Sequence, residues 1–144
     1  MRILGLDVGS KTIGLAVSDP LGWTAQGITT VRRRNLDNDL SAICRYISDY
    51  EATEVLIGLP LNMNGSHGPS AEAAEQFGKK LQQAAQKAGL AINVTMRDER
   101  LSTVAAQRVL LEGNVSRRDR KQVIDKMAAM LILQGHLDYL RQKK

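Results

Sequence analysis

Asp7, the pair Asp98-Glu99 and Asp125 are the residues of this chain best suited to chemistry. Asp7 interrupts the apolar run Ile3-Leu4-Gly5-Leu6-Asp7-Val8, which reads as a buried strand. An ionised carboxylate in such a place costs several kcal/mol unless something compensates it. Either a cation partners Asp7 or the chain keeps it for chemistry. Carboxylates gathered from distant parts of a chain make an oxygen-only cage for hard divalent ions, Mg2+ or Mn2+, with positions left open for water and a phosphate. Two ions in such a cage serve phosphodiester cleavage: one lowers the pKa of an attacking water, the other stabilises the leaving oxygen. With a single Cys and two separated His, zinc sites and Cys/His nucleophiles have no support.

The elements that must position these groups follow from apolar periodicity. Leu4–Val8 and Ile13–Ser18 are predicted strands joined by the tight connection Gly9-Ser10-Lys11-Thr12, hence an antiparallel hairpin. A third strand covers Ala25 to Val31, after the turn Asp19-Pro20-Leu21-Gly22. A helix spans Asp37 to Tyr50, with Leu40, Ile43, Cys44 and Ile47 on one stripe. Val55–Leu59 suits a central parallel strand. After the loop from Pro60 to Pro69, Ser70 is placed to cap a helix reaching Lys87 and stopped by Gly89. Leu90–Met96 is a fifth strand, Ser102–Leu111 a further helix, and Arg118–Arg141 a closing helix. The result is an α/β chain with a mixed five-stranded sheet, three antiparallel strands then two parallel ones, flanked by helices. Right-handed crossovers make strands one, four and five parallel. A ligand site then lies beyond their carboxyl ends, where Asp7, the Leu61–Gly68 loop and Asp98-Glu99 converge.

Asp125 has to reach that edge from the closing helix. Its main apolar stripe reads as Val123, Met127, Met130, Leu131 and Leu137, while Asp125 shares a face with Ala128, Ala129 and Ile132. Small alanines beside a carboxylate allow a helix to approach a sheet closely. The alternative is an ordinary surface carboxylate near a helix N-terminus, where the dipole favours it.

Bulk properties bound the function. A chain of 144 residues with 43% hydrophobic and 24% charged residues is expected to form one domain with its own core, and no disordered tail needs to be assumed. The lone Cys44, in a helical stretch, reads as a packing residue and not as a disulfide partner. No signal peptide or membrane span is expected. The net charge of +5 points to an anionic partner such as nucleic acid. Aromatics are few, so a base-stacking platform is not expected to dominate.

Four motifs in order, Asp7-Val8-Gly9-Ser10-Lys11-Thr12-Ile13-Gly14-Leu15-Ala16, Gly58-Leu59-Pro60-Leu61-Asn62, Asp98-Glu99-Arg100-Leu101-Ser102-Thr103, and Asp125 with the alanines after it, resemble the YqgF/RuvX family over nearly the whole chain. The resemblance implies a ribonuclease H-like fold over residues 1–144 and a cytoplasmic bacterial nuclease. That family is assigned to 5′-end maturation of the 16S ribosomal RNA precursor, and some members are described as Holliday junction resolvases. Carried over, Asp7, Glu99 and Asp125 become the catalytic, metal-binding carboxylates. The period of a strand turns neighbouring side chains apart, and the residue pattern leaves open which of Asp98 and Glu99 binds metal. The family motif selects Glu99 and leaves Asp98 to orient Arg100 or the loop.

The expected substrate side comprises Lys11 at the hairpin tip, Asn62 and Asn64 on the loop after strand four, Arg100, and Arg117, Arg118, Arg120 and Lys121. The last four belong to a basic segment, Gly113 to Lys121, read as a flexible loop that meets backbone phosphates. Arg32-Arg33-Arg34 reads as a solvated turn, His67 as an exposed loop residue and His136 as a packing or surface residue. The partner is precursor ribosomal RNA or branched DNA. Symmetric cleavage of a DNA junction would call for a homodimer. Two rival classes are a kinase or ATPase using the Asp7–Thr12 hairpin for phosphate, and a non-catalytic RNA-binding module. The first needs a second domain for which the chain is too short; the second leaves the costly carboxylates without purpose.

Overall fold

A computed structural model of the chain describes residues 2–62, 64–98 and 117–142, the last stretch with side chains from residue 126 onward. The strands are β1 (Arg2–Val8), β2 (Thr12–Ser18), β3 (Ala25–Arg32), β4 (Ala52–Leu59) and β5 (Asn93–Asp98). The helices among the described residues are α1 (Leu36–Asp49), α2 (Pro69–Lys87) and α3 (Arg117–Gln142). The expected Ser102–Leu111 helix lies outside the described residues. The sheet order is β3-β2-β1-β4-β5. β1 pairs antiparallel with β2 and parallel with β4; β2 pairs antiparallel with β3, and β4 parallel with β5. The mixed five-stranded sheet expected from sequence is therefore the observed one.

The pleat sorts side chains onto two faces. Leu4, Leu6, Ile13, Leu15, Val17, Val55 and Ile57 join Leu40, Ile43 and Ile47 of α1 and Phe77 and Leu81 of α2 in one core layer. Ile3, Ala16 and Leu56 join Ala128, Ala129, Ile132, Leu133 and Leu137 of α3 in the other. This corrects the expected stripe of the closing helix. Met127, Met130 and Leu131 are only half-buried, and the alanine face makes the contact. The reason is steric. Gly5, Ala16 and Gly27 pair in register across β1, β2 and β3, a row of minimal side chains. A Cβ added to Gly5 would lie 3.0 Å from Leu133 Cβ and 3.4 Å from the Ala129 carbonyl oxygen. Only small residues on the helix fit so close to the backbone.

Several boundaries differ from expectation; β4, for one, begins at Ala52 and not at Val55. α2 begins at Pro69 with Gly68 as its cap and no side-chain capping bond, so Ser70 is not the cap. Proline lacks the N–H that a first helical residue leaves unpaired, and its fixed φ suits that position. β5 runs from Asn93, not Leu90, and includes Asp98. The Leu90 N–H closes the end of α2 on the Ala85 carbonyl, and the Ile92 carbonyl accepts from Gln82 Nε2, which delays the strand. Finally, α3 already contains Arg117, Arg118, Arg120 and Lys121, so these four open a helix instead of belonging to a loop. The Ser-x-x-Asp spacing at 116–119 has the form of a capping box and favours an early start.

Candidate nuclease site

Asp7 is the next-to-last residue of β1 and is half-buried, less enclosed than the apolar run around it suggested. It shares the α3 face of the sheet with Ile3 and Gly5, because side chains alternate along a strand. Its partner on β2 is Gly14, which pairs in turn with Thr30 of β3. On the other side Leu6 pairs with Ile57, and one further step of that register brings Gly58 beside Asp7. Glycines thus flank the carboxylate on both neighbouring strands and add no side chain next to it.

α3 runs antiparallel to β1 above this face. Gln134 Oε1 accepts from the Ala25 N–H at 2.9 Å, whereas a Cβ on Gly27 would meet Lys126 and Met130. Moving forward along β3, which is parallel to β1, therefore means moving back along the helix. From the close approach of Gly5 to Ala129, two residues forward on β1 is about 6.6 Å. Four residues back along α3 is about 6 Å. The backbone of residue 125 therefore comes level with Asp7. The side chain of Asp125 lies outside the described residues, as do Glu99 and Arg100 and the side chains of Arg117, Arg118, Arg120 and Lys121.

Asp98 ends β5, paired with Leu59 at the same edge of the sheet. It is exposed, and it lies on the face opposite Asp7. Its neighbour Arg97 marks the α3 face: the guanidinium lies beside Gly135 and 6.0 Å from the centre of the Tyr139 ring. Asp98 and Asp7 are therefore separated by the sheet itself.

The loop after β4 is built by its own polar groups. Asn62 Nδ2 donates to Ser66 Oγ at 3.0 Å, and Asn64 Oδ1 accepts from the Ser66 N–H at 3.0 Å and its hydroxyl at 2.6 Å. Asn62 also packs on Gly68, where a Cβ would approach its Oδ1 to 3.2 Å. His67 Nε2 lies 2.8 Å from Glu75 on α2. Asn62 and Asn64 thus shape the loop, and His67 ties it to a helix. Lys11 stands exposed at the hairpin tip.

Arg33 corrects the reading of Arg32-Arg33-Arg34 as a solvated turn. Its Nε lies 3.0 Å from Oδ2 of Asp39, whose side chain is only 3% exposed. Its Nη1 donates to the Gly9 carbonyl at 2.9 Å. A sequence signal existed: Asp39 stands four residues before Ile43, beside the apolar stripe of α1.

Among the described residues no group of three His, Cys, Asp or Glu side chains is placed to hold a metal ion. Asp7 supplies a hard, partly solvated oxygen donor with glycine neighbours, which suits Mg2+ or Mn2+ rather than a softer metal. Cys44 packs with the core on the opposite face of the sheet, and burial there raises its pKa.

A mixed sheet of this order, with helices on both faces and a carboxylate at the end of its central strand, is the ribonuclease H-like architecture of resolvases. Thermus thermophilus RuvC, solved in complex with a Holliday junction substrate, superposes with a TM-score of 0.60 at 15% identity, over 100% of this chain and 97% of that one. The family model described as "RuvX: Holliday junction resolvase" matches residues 1–139, and the chain belongs to that family. A Moorella thermoacetica protein named "Putative pre-16S rRNA nuclease" is 59% identical over 142 residues, 99% of this chain and 98% of its own length. A Clostridium beijerinckii protein of the same name is 53% identical over 143 residues, 99% of this chain and 100% of its own length.

Proposed function

We propose that this chain is a divalent-metal-dependent nuclease that hydrolyses phosphodiester bonds at the 5′ end of the 16S ribosomal RNA precursor, acting as one domain in the bacterial cytoplasm. The observation that carries the reading is Asp7 at the carboxyl end of β1, on the face crossed by α3 and level with position 125. The names of the Moorella and Clostridium relatives support the substrate.

In this reading Asp7, Glu99 and Asp125 hold the ions, two of them, Mg2+ or Mn2+. Asp98 lies on the face opposite Asp7, which speaks against it as the ligand and supports the choice of Glu99 carried by the family motif. When bound, such ions supply an activated water and a charge sink for the leaving oxygen. Lys11, Arg100, Arg117, Arg118, Arg120 and Lys121 meet backbone phosphates on either side of the scissile bond. The first turns of a helix suit this, since the helix dipole adds to the arginine and lysine charge there. Asn62 and Asn64 act indirectly, by holding the loop that borders the strand ends.

The test is cleavage of a precursor-rRNA fragment and of a four-way DNA junction, each with Mg2+, Mn2+ or EDTA, by the wild type and by Asp7→Asn. Metal-dependent cleavage of the RNA, reduced at least about a hundredfold by Asp7→Asn, is the expected result. Cleavage in EDTA, or by Asp7→Asn at the wild-type rate, would sink the mechanism. Symmetric junction cleavage with the RNA left intact would favour a homodimeric resolvase instead. The family description gives that second reading its standing.

A further inference from the structure

Arg33 grips the hairpin tip next to the site at two backbone points. Its guanidinium donates to the Gly9 carbonyl at 2.9 Å, and its own N–H donates to the Lys11 carbonyl at 2.9 Å. The guanidinium is anchored in turn. Nε pairs with Asp39 Oδ2 at 3.0 Å, and the Phe77 ring lies beneath at 5.4 Å from its centre. Asp39 commits its other oxygen to the Arg34 N–H at 3.0 Å. Arg33 is 23% exposed, so most of its surface is already covered.

We infer that Arg33, held by Asp39, is a positioning residue for the Gly9–Lys11 tip and through it sets the affinity for a nucleic-acid backbone. The inference rests on the nuclease reading, in which Lys11 meets a phosphate of the substrate. Glycine at the start of the tip gives the segment wide conformational freedom, which binding would have to remove. The two Arg33 bonds remove it beforehand. Arg33 is assigned the positioning role and not a phosphate contact, because its Nε and Nη1 donors are committed to a carboxylate and a carbonyl and Asp39 neutralises its charge. The planar guanidinium holds its Nε and Nη1 donors in a fixed fork wide enough to reach both acceptors, which a compact ammonium does not reproduce. A lysine keeps the charge beside Asp39 and loses the bridge to Gly9.

The experiment is the dissociation constant of a labelled precursor-rRNA fragment, read by fluorescence anisotropy in EDTA so that nothing is cleaved. Wild type, Arg33→Lys, Lys11→Gln and the double variant are compared over a range of salt. Each single change is expected to weaken binding about fivefold, and the double change by no more than either alone. The salt slope of Arg33→Lys should fall by about 0.7, the increment of one lost phosphate contact on a single strand, and that of Lys11→Gln by the same amount. A purely structural Arg33 would leave the slope unchanged. Asp39→Asn, which keeps the shape and removes the charge that anchors Arg33, should reproduce the Arg33→Lys result and serves if that variant fails to fold. Additive losses, or an Arg33→Lys variant that binds like the wild type, would overturn the inference while leaving the nuclease reading intact. A wild type that binds neither the RNA nor a four-way junction would overturn both.

Discussion

Gly5 of β1 and Ala129 of α3 meet so closely that a Cβ on Gly5 would lie 3.4 Å from the Ala129 carbonyl oxygen, with Leu133 Cβ at 3.0 Å. This contact sets the height of α3 above the sheet and, one turn further back, the height of residue 125 above Asp7. Gly5→Ala forces the helix outward, because the obstructing atoms are backbone and a β-carbon. It should destabilise the fold by about 1–3 kcal/mol in urea titration. It should also reduce cleavage more than the stability loss accounts for. Gly27→Ala is the control. There the near atoms are closer, Lys126 Cε at 2.6 Å and Cγ at 2.9 Å and Met130 Sδ at 2.9 Å, but they belong to side chains that can change rotamer without moving the helix backbone. Its cost should stay below that of Gly5→Ala, partly offset by the better strand propensity of alanine. Equal costs at the two positions would remove Gly5 as the spacer.

The buried partner of Arg33 gives a second prediction. Asp39→Ala leaves the guanidinium paired only with a carbonyl, and leaves the Arg34 N–H without its acceptor. Removing one member of a buried pair costs about 3 kcal/mol, at the lower end of the usual range because Arg33 keeps some access to water. Thermal or urea unfolding measures it. A change within about 0.5 kcal/mol, the range of ordinary surface substitutions, would show that the pair is not holding the hairpin to α1.

Metal binding can be read without activity. If Asp7 belongs to the cage, Mn2+ at about a hundred times its Kd stabilises the wild type by about 2.7 kcal/mol. A rise in Tm of several degrees should follow for the wild type and be absent in Asp7→Asn. The same rise in both proteins would place the ion elsewhere on the molecule.

The strands were legible because short runs rich in Ile, Val and Leu, such as Val55–Leu59, stand between clear turn signals. The hairpin at Gly9–Thr12 and the helix stop at Gly89, with its φ of +77°, read directly from residue type. Asp7 stood out for the same reason: a charge in an apolar run is visible without a structure. The packed face of α3 was not legible. Apolar residues lie on all sides of that helix, and a hydrophobicity scale ranks methionine above alanine. The choice is made by the row Gly5, Ala16 and Gly27, which is visible only once β1, β2 and β3 are in register. Arg33 was misread because a basic run after a strand carries no sign that one of its members turns inward. Only the position of Asp39 beside the α1 stripe hinted at it.

His136 gives a prediction for pH. It is a half-buried residue of α3, with its ring stacked on Tyr139 at 6.4 Å between centres. Burial lowers its pKa, the Glu54 carboxylate partly restores it, and the Arg97 guanidinium lowers it again. In the unfolded chain the imidazole keeps its ordinary value of about 6.5. Between that value and the lower folded one, the unfolded state binds more protons, so stability rises with pH across the window. The contribution is complete above the unfolded pKa and is lost as pH falls through the folded one. The wild type should therefore lose more stability between about pH 7.5 and about pH 5 than His136→Phe, which keeps a ring against Tyr139 and cannot titrate. Urea midpoints at the two pH values give the comparison. Parallel declines in both proteins would mean that the pH dependence arises at other groups.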